Sequence, residues 1–188
     1  AWFQPSVTIQ RATDDEDTTI RPGDLLHVDF GIVFRALCTD QQEHAYVLRS
    51  GESEPPAGLS YGLERANRIQ DILMEEFVSG RTGNEILAAA LQRSAAEDLE
   101  PIIYTHSIGL HGHGAGMTIG LWDQQDGVAG AGDHPLHPDT AYSIELSGAT
   151  DVPEWGGRSV RFMLEQDAWF DGETCTWLDG RQTALHLI

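Results

Sequence analysis

The stretch that decides the reading is Leu25-Leu26-His27-Val28-Asp29-Phe30-Gly31-Ile32-Val33-Phe34, followed by Arg35-Ala36-Leu37-Cys38-Thr39-Asp40. It reads as a β-hairpin. A turn at Phe34-Arg35 pairs residue 33 with 36 and sets Asp29 opposite Asp40. Cross-strand Cβ atoms lie only about 4.5–5.5 Å apart. Two like charges at that distance repel, one pKa rises, and a divalent cation relieves the conflict. Taken alone, the pair reads equally well as two solvated acids in a very acidic chain.

The remainder of the chain supplies companions for the two aspartates. His106 and His113 lie in Tyr104-Thr105-His106-Ser107-Ile108-Gly109-Leu110-His111-Gly112-His113-Gly114. Glu145 interrupts the apolar run Ala141-Tyr142-Ser143-Ile144-Glu145-Leu146, and Glu165 ends the run Val160-Arg161-Phe162-Met163-Leu164-Glu165. Glutamate is almost never buried without a partner. The alternative is a strand carboxylate paired with an arginine such as Arg158 or Arg161. Read together, the four acids and one imidazole make one oxygen-rich donor set, which suits Mn(II), Co(II) or Fe(II) better than a thiolate zinc site.

This order of residues resembles the pita-bread metallopeptidases, a family that includes methionine aminopeptidases, aminopeptidases P and prolidases. The likeness rests on Asp29 and Asp40 eleven apart, His106 and His113 seven apart, then Glu145 and Glu165. His106-Ser107-Ile108-Gly109-Leu110 is similar to the family's His-Gly-Ile-Gly-Leu stretch. Gly23-Asp24 before the first aspartate and Asp171-Gly172 after the last glutamate fit as well. The likeness runs from about Arg21 to Gly172, and two features depart from it. Residues 1–11 lack the upstream histidine that relatives carry, and Arg161 stands four positions before Glu165, where relatives place it closer.

The resemblance implies an α+β fold, a curved antiparallel sheet with helices on one face. It implies a single catalytic domain over residues 1–188, without the helices that precede this point in relatives. It implies two divalent metal ions held by Asp29, Asp40, His106, Glu145 and Glu165, with Asp40 and Glu165 bridging. The expected activity is that of a dinuclear exopeptidase, most like an Xaa-Pro aminopeptidase, cleaving by a metal-bridging hydroxide. Glu145 would carry the proton and His113 would stabilise the oxyanion. The alternatives are a creatinase-like hydrolase or peptide-binding scaffold on the same fold, or an inactive fragment. The expected partner is a peptide substrate, and the family also allows a homodimer.

Composition limits the other classes. The chain has 188 residues, 30 acidic against 11 basic, for a formal charge of −19. Such a field disfavours nucleic acid and anionic membrane surfaces. No apolar stretch reaches the roughly 18 residues that a membrane span needs. Cys38 and Cys175 are the two cysteines, too few for a disulfide framework, so a reduced compartment, the cytoplasm, is the simpler reading.

Coarse organisation follows from punctuation and period. Residues 2–10 read as a strand, 14–19 as an acidic loop, and 25–34 with 37–49 as the hairpin. Gly51–Gly58 is a Pro-rich loop. Leu63, Ala66, Ile69, Leu73 and Phe77 recur at helical spacing, which predicts a helix over 63–78. Thr82 with Glu85 forms a capping box opening a second helix to about Glu97. Strands are expected near 101–106, 117–121, 141–147, 159–169 and 173–178, with a loop over 127–138. His27 shares a strand face with Asp29, whereas His44 reads as a surface residue. His111, Trp122 and Trp155 read either as pocket walls or as packing.

Overall fold

The computed structural model describes residues 1–15 and 17–188. Among these, β1 is Ser6–Gln10, β2 Leu25–Phe30, β3 Val33–Phe34, β4 Leu37–Cys38 and β5 Gln41–Tyr46. Helices α1 (Ala57–Glu75) and α2 (Gly83–Ala96) follow. Then come β6 (Pro101–Ile103), β7 (Thr105–Ser107), β8 (Thr118–Ile119), β9 (Thr140–Val152), β10 (Arg158–Phe170), β11 (Cys175–Trp177) and β12 (His186–Leu187). The main sheet runs β1-β2-β5-β10-β9-β7-β8, with β6 and β11 alongside β9 and β10. Every pairing in it is antiparallel except β12 on β5.

Strands β9 and β10 form the spine, paired residue for residue from Arg158↔Val152 to Phe170↔Thr140. Side chains of a strand alternate between faces. On one face Ile144 and Leu146 of β9 and Val160, Phe162, Leu164, Ala168 and Phe170 of β10 are buried in the core. That core also takes in Leu59, Leu63, Ile69, Ile72 and Leu73 of α1 and Ile86, Leu87 and Ala90 of α2. Each Val, Leu, Ile or Phe among them contributes about 1.5–3 kcal/mol when fully buried. The opposite face of the spine carries Ser143, Glu145, Glu165 and Asp167.

The first helix begins six residues earlier than its period predicts and ends at Glu75, not Val78. Pro55-Pro56-Ala57-Gly58 has the composition of a loop, yet Gly58 and Gly62 are both helical. A Cβ on Gly62 would sit 2.1 Å from the Phe162 ring, so the glycine lets the helix lie directly on β10. Pro56 offers no side-chain cap. The Glu154 carboxylate, remote in sequence, accepts from Gly58 N–H instead. The second helix has the expected capping box, Thr82 with Glu85.

The hairpin register differs from the sequence reading. The turn residues are Arg35 and Ala36, both at positive φ (50° and 67°), and Val33 pairs with Cys38. In the main sheet Asp29 lies opposite Gln42, not Asp40. The shift is two residues, so Asp40 keeps its face. The left-handed turn, unfavourable for non-glycine residues, left no sequence signal. Residues 2–5 are not strand. Trp2 turns inward and its indole N–H donates to Thr39 O at 2.9 Å.

Beyond Glu165↔Gln42 the strands β5 and β10 part. His44, expected at the surface, is fully buried in this seam. Its Nδ1–H donates to Leu26 O (3.2 Å) and its Nε2 accepts from Met163 N–H (3.0 Å). Glu16 of the expected acidic loop lies outside the described residues. Its neighbours Asp15 and Asp17 meet Arg21, and Asp14 meets Arg158. The two cysteines are free, and no helix among the described residues is long and apolar enough to cross a membrane.

Candidate metal centre

The sheet register builds the site as two adjacent rows on the face away from the helices. The first crosses four strands through directly paired residues: Asp29 (β2), Gln42 (β5), Glu165 (β10) and Glu145 (β9). The second lies two residues further along each strand. It holds Asp167 paired with Ser143, and Ser143 paired with His106 of β7. Asp40, just before β5, closes it: its backbone N–H points to Asp167 Oδ2 at 3.4 Å.

Ligand-type atoms converge accordingly. Those of Asp29, Asp40 and Glu165 lie within 4.8 Å of one another, as do those of His106, Glu145 and Glu165. His106 Nε2 is 3.4 Å from Glu165 Oε1, 3.8 Å from Glu145 Oε2 and 4.0 Å from Asp40 Oδ2. All five residues read from the sequence as a donor set thus stand in one cluster. His113 stands at its rim, exposed. Its ring is edge-on to His106 at 4.5 Å, and one nitrogen lies within reach of Asp40 and His106. The feared alternative of arginine partners does not arise among the described residues, since Arg158 bonds Asp14 and Arg161 bonds Ser147.

The protonation chemistry is that of an uncompensated acid cluster. Burial raises the pKa of Asp29, Asp40, Glu145 and Glu165, and mutual repulsion adds to it for Asp40 and Glu145. Asp167 is pushed up to about 7, again first by burial. His106 and His113 are lowered, burial disfavouring their charged forms. His106 Nδ1–H donates to Ser107 O at 3.2 Å, which leaves Nε2 as a bare acceptor facing the acids.

Several atoms here have no hydrogen-bond partner among the described residues: Asp29 Oδ1, Asp40 Oδ1, His106 Nε2 and Asp167 Oδ1, all buried. A buried polar atom left alone is costly, and native proteins rarely tolerate it without a reason. Three of the four belong to the predicted donor set. All are acceptors, a set that a cation satisfies and that, without one, is relieved only by protons. A histidine whose other nitrogen bonds a carbonyl is also the arrangement that metal-ligating imidazoles adopt. The residues present therefore fit a divalent ion.

Sequence reasoning passed over several neighbours. Gln42 and Asp167 stand two residues beyond Asp40 and Glu165, and strand alternation was the signal that could have found them. Ser143 donates to Glu165 Oε1 at 2.7 Å. The rings of Tyr104 and Trp2 flank His113 at 5.9 and 5.5 Å. A pocket of about 540 Å³ opens beside His113, lined by Trp2, Val33, Cys38, Leu110 and His111. Trp155 packs in the core, whereas Trp122 is exposed. His27 does make the contact its strand face allows, to Gln42 rather than to an acid.

Comparison with known proteins agrees with this geometry. No curated protein matches the chain. An X-Pro aminopeptidase from Thermotoga maritima has the same fold, with a TM-score of 0.71 at 16% identity over 100% of this chain and 49% of its own. An Xaa-Pro dipeptidase from Bacillus anthracis scores 0.66 at 21% identity, over 100% and 49%. The N-terminal domain of FACT complex subunit SPT16 from Cicer arietinum scores 0.66 at 11% identity, over 98% and 44%. The chain spans about half the length of these solved structures. They establish the pita-bread fold. The sequence profile of metallopeptidase family M24 matches residues 3–164, and the chain belongs to that family.

Proposed function

We propose that this chain carries the centre of a dinuclear metal-dependent exopeptidase that removes the N-terminal residue from peptides with proline second. The observation that carries this reading is the set of orphaned, buried acceptor atoms on Asp29, Asp40 and His106, beside Glu145 and Glu165. Two divalent ions bound there would supply Lewis acidity toward a scissile carbonyl and acidify water. The oxygen-rich donor set favours Mn(II), Co(II) or Fe(II) over Zn(II).

The protein's own groups then divide the work. Glu145 is held at Oε1 by Gln42 and turns Oε2 toward the centre, where it takes a proton from water and returns it to the leaving amine. His113, at the rim, donates to the developing oxyanion. The wall of Trp2, Val33 and Leu110 gives the peptide an apolar bed. The names of the two Xaa-Pro enzymes sharing the fold support the substrate class. The fold alone does not carry the reading, because a FACT subunit shares it; the orphaned acceptors favour a metal-using site over a bare scaffold.

Calorimetry with Mn(II) on metal-stripped protein tests the first half, with up to two ions expected per chain. Asp40→Ala should remove one, and unchanged stoichiometry would reject Asp40 as a shared ligand. Hydrolysis of an Xaa-Pro dipeptide and tripeptide tests the second half. His113→Ala should lower kcat about 10²- to 10³-fold, as loss of one oxyanion donor does, while metal content stays unchanged. Full metal occupancy with no hydrolysis would reject the peptidase and leave the metal site standing.

A further inference from the structure

Three members of the first row, Asp29, Glu165 and Glu145, are acids. The fourth, Gln42, is neutral and buried. Its amide nitrogen donates one proton to Glu145 Oε1 at 2.8 Å and the other to Glu165 Oε2 at 2.7 Å. Carboxylates that receive a cation are ionised and only accept, so in the metal-binding form the amide is fixed: NH₂ toward the acids, Oε1 away. Oε1 meets His27 Nε2 at 2.8 Å. An amide oxygen also only accepts, so His27 carries its proton on Nε2. Its Nδ1 is then an acceptor, and the Thr8 hydroxyl stands 3.3 Å away to donate. The backbone of Gln42 is held too, its C=O accepting from Gln166 Nε2 at 3.0 Å.

The result is a one-way chain of hydrogen bonds, Thr8 to His27 to Gln42 to two acids. Each carboxylate oxygen has more than one lone pair. The amide fixes Glu145 through Oε1 and so leaves Oε2 facing His106. It fixes Glu165 through Oε2, while Oε1 faces His106 and Ser143. An apolar residue at 42 would leave both acids free to rotate. An acid there would set a further negative charge between Glu165 and Asp29.

We propose that Gln42 is a positioning residue that orients Glu145 and Glu165 to receive divalent cations, and that His27 acts through it by fixing which way the amide points. This rests on the metal reading of the site given above. Groups of this kind, one bond behind the ligands, typically change metal affinity 10- to 100-fold when lost.

The test is Co(II) titration of metal-stripped protein, followed by calorimetry and by the visible absorption spectrum, which reports ligand geometry. Gln42→Met keeps the length and bulk of the side chain and removes the amide. We expect it to keep the near-ultraviolet circular dichroism of the parent, bind Co(II) 10- to 100-fold more weakly and shift the Co(II) bands. His27→Phe should weaken binding in the same direction but less. The double variant should be no worse than Gln42→Met, because residues acting in series are not additive. Wild-type protein that takes up no Co(II) overturns the metal reading and this proposal with it. Normal uptake by the wild type, with Gln42→Met unchanged in affinity and spectrum, overturns the proposal alone. Additive losses in the double variant overturn the role given to His27. If Gln42→Met does not fold, His27→Phe decides: an altered spectrum with weaker binding supports the proposal, and an unchanged titration overturns it.

Discussion

The seam around His44 and the centre around His106 lie on the same sheet and are equally dry, yet they differ in one respect. At His44 both ring nitrogens have a backbone partner. At His106 one nitrogen is bonded and the other faces acids with no partner among the described residues. A satisfied buried imidazole is a structural strut. An unsatisfied one among acceptors is a place built for something positive. Burial and residue type do not separate the two; hydrogen-bond bookkeeping does.

The largest effect that would break this contrast is at the strut. His44→Leu leaves Met163 N–H unpaired in the core, at about 1–3 kcal/mol, and removes the imidazole's bond to Leu26 C=O, at about 1 kcal/mol, so roughly 2–4 kcal/mol of stability should be lost in urea unfolding at pH 7. Burial and then the neighbouring His27 push the pKa of His44 down to about 4 from 6.5. The folded protein thus takes up this proton less readily than the unfolded chain. The contribution is full above the ordinary value and is lost as pH falls toward 4, by up to about 3 kcal/mol. The variant should lack that acid-side slope. A small loss at pH 7 with the slope intact would mean that His44 is not the strut described.

Next in size is the centre. Ions that bind only the folded state stabilise it by about 2.7 kcal/mol at a hundredfold excess over Kd. Chelation should therefore lower the melting temperature by roughly 5–10 °C. The shift should be larger at pH 8 than at pH 5. The raised pKa values of Asp40, Glu145 and Glu165 mean that the metal-free fold holds protons which the unfolded chain releases. Its stability therefore drops as pH rises out of the ordinary carboxylate range. Identical melting curves with and without chelator at pH 8 would count against bound ions.

The smallest effect sharpens the contrast by standing outside both regions. Ala36 sits at φ 67° in the exposed hairpin turn. Ala36→Gly should relieve about 1 kcal/mol and leave both the acid-side slope and the chelator shift unchanged. A change in either would tie the hairpin to the seam or to the centre.

These regions were unequally legible in the sequence. Glu145 and Glu165 stood out because each breaks an apolar run, and the strands around them follow alternation. The capping box at Thr82 was readable because it is local. The start of α1 was not, since Gly58 and Gly62 look like loop residues until Phe162 is seen against the helix. The register of the hairpin was set wrong by two residues, and that error put Asp40 in the position that Gln42 occupies. A neutral amide in an acidic chain attracts no notice until its partners are known. His44 was misread because its burial depends on β5 and β10 parting, a tertiary event with no local trace.

The unbroken pairing of β9 with β10 has a practical corollary. Leu146 and Glu145, like Leu164 and Glu165, are adjacent in the chain and point to opposite faces. A slip of one residue between these strands would turn the glutamates inward and the leucines out, spoiling core and centre together. No form slipped by an odd number of residues can keep one and lose the other. Metal uptake by any preparation of this chain, refolded or freshly expressed, therefore doubles as an assay of strand alignment. A batch that melts cooperatively yet takes up no ion should be suspected of damage at the ligands themselves, rather than of misfolding.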